Sequence, residues 1–110
     1  MTVENETQID AMGIEPATGN VVLMISDHLD WSETPTHLEA IEAKVNAYLA
    51  FVQSPQLVEA NPDARNRKVK IAIYQAHPEP EEVKPILNKL ARQLGFVGIE
   101  LWRGALPPGY

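Results

Sequence analysis

The chain has 110 residues, 45% of them from the AVILMFWYC set and 22% charged, which places it among single globular domains and away from disordered sequences. It has no cysteine, so disulfides, zinc–thiolate centres and a cysteine nucleophile are excluded together. The formal net charge of −6 argues against nucleic acid as a partner, because phosphate recognition rests on a basic surface.

One local exception to the acidic balance exists. Arg65, Arg67, Lys68 and Lys70 lie close together and are read as a solvated loop and one face of a strand. The opening residues, MTVENETQID, carry neither a basic nor an apolar signal region, and no apolar run reaches membrane-spanning length. A cytoplasmic location with no membrane partner is the expectation.

Ile9, Met12 and Ile14 suggest a short first strand within Gln8–Ile14. Glu15-Pro16-Ala17-Thr18-Gly19-Asn20 then reads as a turn, because proline fixes φ at its start and Gly-Asn supplies positive φ at its end. Val21-Val22-Leu23-Met24-Ile25 follows as a second, more central strand, so the pair predicts a β-hairpin. This strand runs into Ser26-Asp27-His28-Leu29-Asp30-Trp31.

Thr34-Pro35-Thr36 starts a helix, with a capping box from Thr36 to Glu39 competing with Thr34 as the cap. Leu38, Ile41, Val45, Tyr48, Leu49 and Val52 form a single apolar stripe at helical spacing. Ser54-Pro55 ends that helix, and Ser54 can cap a short turn over Pro55–Ala60. Asp63–Arg67 reads as a polar loop.

Lys68–Tyr74 alternates, with Val69, Ile71 and Ile73 on one face and Lys68, Lys70, Ala72 and Tyr74 on the other. His77-Pro78-Glu79-Pro80 breaks this strand. A second helix is predicted over Glu81–Leu94, with Val83, Leu87, Leu90 and Leu94 as its stripe and Pro85 tolerated in its first turn. Gly95 is its expected C′ residue. Val97, Ile99 and Leu101 alternate with Gly98, Glu100 and Trp102 as the last strand.

The expected order is β-β-α-β-α-β. Right-handed crossovers make the last strands parallel neighbours. Charge on one face of strands 3 and 4 places both main helices on the other. The expectation is a two-layer α+β sandwich with a four-stranded mixed sheet, one domain over residues 8–103, and flexible tails at 1–7 and 104–110.

Val22-Leu23-Met24-Ile25-Ser26-Asp27-His28-Leu29-Asp30-Trp31, followed by Lys44-Val45-Asn46-Ala47-Tyr48-Leu49-Ala50-Phe51-Val52-Gln53-Ser54, resembles a family of small uncharacterised bacterial proteins. That family carries an I-S-D-H-L-x-W segment and a K-x-N-A-Y-L-x-F helix. The resemblance runs from about Ile9 to Trp102, including the Gly13-Ile14 start of the hairpin. It implies a free-standing domain and brings no activity with it.

Three constellations could carry function. Asp27, His28 and Asp30, with His37 shortly after, combine imidazole and carboxylate as a metal site or a base with its orienting acid. His77 joins them if strands 2 and 3 are parallel neighbours, which would put Asp27, His28 and His77 at carboxyl strand ends. The competing reading gives these polar residues turn hydrogen bonds and lets Trp31 close the core.

Ser26, His28 and Asp30 make at most a weak hydrolytic set, with no G-x-S-x-G elbow and no phosphate-binding glycine pattern. The third constellation is apolar: Val22, Met24, Tyr74 and Trp102 among Lys68, Lys70 and Glu100 on the helix-free sheet face, a composition common in interfaces. The sequence thus reads first as a non-enzymatic association domain needing no cofactor, acting as a homodimer or a partner-binding subunit. A small metal-dependent or acid/base enzyme is second, and an acidic inhibitor of a basic protein third.

Overall fold

The computed structural model describes residues 11–106. The elements are β1 (Ala11–Ile14), β2 (Val21–Asp27), α1 (Thr34–Gln53), α2 (Gln56–Ala60), a 3₁₀ turn (Pro62–Ala64), β3 (Val69–Gln75), α3 (Lys84–Gly95) and β4 (Ile99–Ala105). The strands form one four-stranded sheet in the order β1-β2-β3-β4. β1 is antiparallel to β2, and the β2–β3 and β3–β4 pairs are parallel. The mixed-sheet α+β architecture expected from the sequence is therefore the observed one. Residues 8–10 of the expected first strand lie outside the described residues.

Strand alternation builds the core. Val21, Leu23 and Ile25 of β2, Val69, Ile71 and Ile73 of β3 and Ile99 of β4 point to the same face. Ile41, Val45 and Tyr48 of α1 meet Val83, Leu87 and Leu94, from α3 and the turn before it, in one buried cluster with them. Leu23, Ile25, Ile71 and Ile73 are fully buried, each contributing about 1.5–3 kcal/mol relative to exposure. Leu38, Leu49 and Val52 pack at the cluster's edge, so the stripe predicted for α1 is the packed one.

Local signals account for some of the element ends. Gly19 takes φ +75° in the β1–β2 turn, where its N–H donates to the Glu15 carbonyl at 2.7 Å. The Ser54 hydroxyl accepts the Gln56 N–H at 3.2 Å in the turn that leads into α2, whose N-cap position is Pro55.

Besides β3, which runs Val69–Gln75 and so one residue later than Lys68–Tyr74, four boundaries differ from the sequence reading. First, α1 starts at Thr34 without a side-chain cap. This places Thr36 inside the first turn and leaves the Thr34 hydroxyl donating to the Trp31 carbonyl. Second, α3 begins at Lys84, after a turn in which Val83 N–H donates to Pro80 O, so Pro85 falls in its first turn as expected. Third, Gly95 lies within α3, and the positive-φ residue is Gly98, at φ +79°. Fourth, β4 begins at Ile99 and runs through Gly104 and Ala105, which the sequence assigns to the tail. Pairing with Tyr74 and Gln75 holds them there, and Leu106 N–H donates to Gln75 O.

Candidate functional site

The core-facing rows of the sheet turn polar at their carboxyl ends. Val21-Leu23-Ile25 continues to Asp27, Val69-Ile71-Ile73 to Gln75, and Ile99-Leu101 to Arg103. Asp27 and Gln75 are register partners, as are Ile73 and Arg103. Polar side chains thus stand where parallel strands deliver chains towards ligands in open α/β sheets.

Asp27 is buried and pairs with His37 of α1, its Oδ2 lying 2.6 Å from Nε2. Its Oδ1 accepts the Leu29 N–H at 3.2 Å. The other imidazole nitrogen, Nδ1, is 3.0 Å from the Asp30 carbonyl oxygen. A carbonyl only accepts, so Nδ1 carries the hydrogen, and one proton is held between Nε2 and the Asp27 carboxylate. Trp31 stacks on the ring at a centroid distance of 3.7 Å and donates its indole N–H to the His77 carbonyl at 3.3 Å. Burial pushes the Asp27 carboxyl above its ordinary value, opposed mainly by the hydrogen bond from His37.

His37 is only 2% exposed and both its nitrogens are engaged, so the pair has no nitrogen left for a metal or substrate. Its geometry is that of a clamp joining the end of β2 to the first turns of α1.

The other residues proposed around it do not join the pair. His28 is exposed, and so is His77, which contributes its backbone carbonyl to Trp31. The Asp30 carboxylate accepts the Ser32 N–H and hydroxyl at 3.1 and 2.6 Å, and the hydroxyl bond foremost holds its carboxyl below the ordinary value. Among the described residues, no three His, Asp or Glu side chains gather as a metal-binding group. Lys44, fully buried on the core side of α1, places Nζ 5.4 Å from the Tyr48 ring centroid, and the Tyr48 hydroxyl donates to Met24 O.

A second polar cluster, missed in the sequence, lies one strand away. Arg103 Nε donates to Glu79 Oε1 at 2.9 Å, and a terminal guanidinium nitrogen donates to Asn88 Oδ1 of α3 at 2.9 Å. These residues border a cleft of about 520 Å³, whose lining includes Gln75, Pro78, Glu79, Lys84, Arg103 and Leu106. Gln75 Nε2 and Glu79 Oε2 are buried there without a hydrogen-bond partner. The available signal was the parity of the strands: Gln75 and Arg103 each extend an apolar row by one further step.

The helix-free sheet face carries Val22, Met24, Ala72, Tyr74 and Trp102. Val22 and Ala72 are buried, while Met24, Tyr74 and Trp102 are half-buried. Tyr74 and Trp102 are in tilted contact at a centroid distance of 5.1 Å, and Lys70 Nζ lies 5.6 Å from the indole centroid and 3.6 Å from Glu15 Oε2. The indole lies along the strand over Gly104, where a Cβ would overlap it. Phe96 and Val97, in the turn leading into β4, are 89% and 51% exposed.

Fold and site together define a small two-layer α+β domain with a buried carboxylate–imidazole clamp and a polar cleft beside it. The chain belongs to DUF6572, a family of unknown function, which it matches over residues 1–105. No curated protein and no solved structure matches it. The matched span ends at the last residue of β4. No helix among the described residues is long and apolar enough to cross a membrane.

Proposed function

We propose that this chain is an association domain that works as a homodimer, joined through β4 and the helix-free face beside it. The observation that carries this reading is that β4 is an edge strand, seven residues long, with Trp102 at its midpoint. An edge strand offers unpaired backbone groups, and a second copy is the partner that a two-fold axis supplies without further machinery. Antiparallel pairing centred on Trp102 would set the two indoles against each other. It would also extend the apolar surface formed with Tyr74 and Met24.

Light scattering coupled to size exclusion tests the reading. Wild type should run at about twice the 12.2 kDa chain mass, and Trp102→Glu at the chain mass with an unchanged far-ultraviolet spectrum. A wild-type monomer at every concentration would overturn it.

A further inference from the structure

Beyond association, we propose that the Asp27–His37 pair is a proton-held latch. The strap of residues 28–33 lies closed over the carboxyl end of β2 while the pair keeps its shared proton, and it opens when that proton leaves. The inference rests on counting hydrogens. His37 faces an acceptor on each side: Asp27 Oδ2 lies 2.6 Å from Nε2, and the Asp30 carbonyl oxygen lies 3.0 Å from Nδ1. A neutral imidazole has one N–H for these two acceptors, and an ionised carboxylate has no hydrogen to add. Once the shared proton is gone, one of the two contacts sets lone pair against lone pair, whichever tautomer the ring adopts. The side chains are 2% and 1% exposed, so water does not bridge them while the strap stays closed.

The strap is the part that yields. It joins β2 to α1 and forms neither helix nor strand. Its contacts converge on the pair: the Leu29 N–H donates to Asp27 Oδ1, the Asp30 carbonyl accepts from His37, and the Trp31 ring stacks on the His37 ring. Away from the pair, the Trp31 indole N–H reaches the His77 carbonyl at 3.3 Å in an exposed position, and the Thr34 hydroxyl donates to Trp31 O where α1 starts. The flanking elements are held independently, because Leu23 and Ile25 of β2 and Ile41 and Val45 of α1 are fully buried in the core. Opening therefore stops at the strap.

The other charged groups on the surrounding elements are His28, Asp30 and Glu33 of the strap, His77 after β3 and Lys44 of α1. His28, Glu33 and His77 are exposed, the Asp30 carboxylate is bonded to Ser32, and Lys44 Nζ lies 5.4 Å from the Tyr48 ring centroid. Gln75, the register partner of Asp27, is neutral. Closure takes up a proton that the separated groups give up in alkaline solution. By linkage, the closed strap is favoured as pH falls and lost as pH rises. The rise of the Asp27 carboxyl, caused foremost by burial, has the same direction.

The test follows Trp31 in the full-length chain carrying Trp102→Phe, which leaves Trp31 as the one indole. Acrylamide quenching of its fluorescence, corrected for lifetime, is measured from about pH 5 to about pH 9 beside the far-ultraviolet spectrum. The quenching constant should rise reversibly by at least about threefold with an unchanged far-ultraviolet spectrum, as local opening requires. Adding Asp27→Asn should hold the constant at its low-pH value throughout. The new amide donates to Nε2 of a neutral His37 whose Nδ1–H still serves Asp30 O, so no contact needs a titrating proton. Replacing the two other imidazoles, by His28→Gln with His77→Gln, should leave the transition in place. Nitrogen-15 NMR of the His37 ring, with Asp27 unchanged, should show the ring or its pair losing a hydrogen at the same midpoint as the quenching change. A flat quenching profile, a transition that survives Asp27→Asn or vanishes without His28 and His77, a His37 midpoint apart from the quenching midpoint, or an opening that coincides with global unfolding each overturns the latch.

Discussion

Removing His37 should expose how the end of β2 is held. In the folded chain the Asp27 carboxylate is 1% exposed, with His37 Nε2 at 2.6 Å and the Leu29 N–H at 3.2 Å as its partners. His37→Ala takes away the first, and breaking a buried pair by deleting one partner costs about 3–5 kcal/mol. The Trp31 stacking, worth about 0.5–1.5 kcal/mol, goes with it and is not simply additive. Asp27→Asn is the control. Its amide oxygen can accept the Leu29 N–H, and its NH₂ can donate to a neutral His37 whose Nδ1–H still points at Asp30 O, so the change should stay within about 1 kcal/mol.

The pH dependence separates the two variants. Burial raises the folded-state Asp27 carboxyl, so the folded chain holds this proton more tightly than the unfolded chain does. The resulting contribution to stability is full below the ordinary value of about 3.9 and is lost as pH rises through the raised folded value. Asp27→Asn should therefore flatten the stability profile on the acid side. His37→Ala should be milder at pH 5 than at pH 8, because the raised Asp27 carboxyl protonates more readily as pH falls, whereas at pH 8 the buried carboxylate keeps only the Leu29 N–H. Urea unfolding at the two pH values measures this. If His37→Ala lies within about 1 kcal/mol of wild type at pH 8, or if Asp27→Asn matches its loss, the clamp reasoning fails.

Two further outcomes follow from the packing around α3 and β4. Gly95→Ala should stabilise by about 0.4–1 kcal/mol, because it sits in the helix with open space at the Cβ position, whereas Gly98→Ala should destabilise by about 1 kcal/mol, because φ is +79° there; paired thermal melts distinguish them. Arg103→Ala should cost about 1.5–3 kcal/mol in urea unfolding, since it strips a charged partner from the largely buried Glu79 and a donor from Asn88, and Glu79→Gln should recover part of that loss in the double variant.

Much of this architecture was legible because hydrophobic period and topology agree. The stripe of α1 and the alternation of Lys68–Tyr74 each specify a single buried face, and helices placed between strands leave parallel crossovers as the natural arrangement. The full strand order was not legible: crossovers lead to the parallel β3–β4 pair that is observed, but no local signal says which strands take the edges of the sheet. Element ends were least legible where two local signals competed. Gly95 suits the end of a helix, yet it stays helical, and the positive φ falls at Gly98, which alternation assigns to the last strand.

The polar site was half legible for a sharper reason. The junction after β2 stood out because Asp27, His28 and Asp30 are adjacent in sequence, yet adjacency on an extended segment sends neighbouring side chains to opposite faces. Asp27 points to the core and His28 to solvent, and the imidazole that reaches Asp27 is His37, ten positions on and delivered by the first turns of α1. Parity is the better guide. Carried one step past each apolar row, it selects Asp27, Gln75 and Arg103 from three strands, all facing the helices at the carboxyl end of the sheet. The strands run past the breaks that His77-Pro78 and Gly104 suggest in the sequence, and so carry Gln75 and Arg103 within the sheet. A polar residue that keeps the inward parity of a buried strand has to be matched by something, since the core offers it no water. Asp27 is matched by His37 and Arg103 by Glu79 and Asn88, whereas the Gln75 Nε2 has no partner within the described fold. Gln75 is thereby the strand-end residue that hydrophobic patterning explains least.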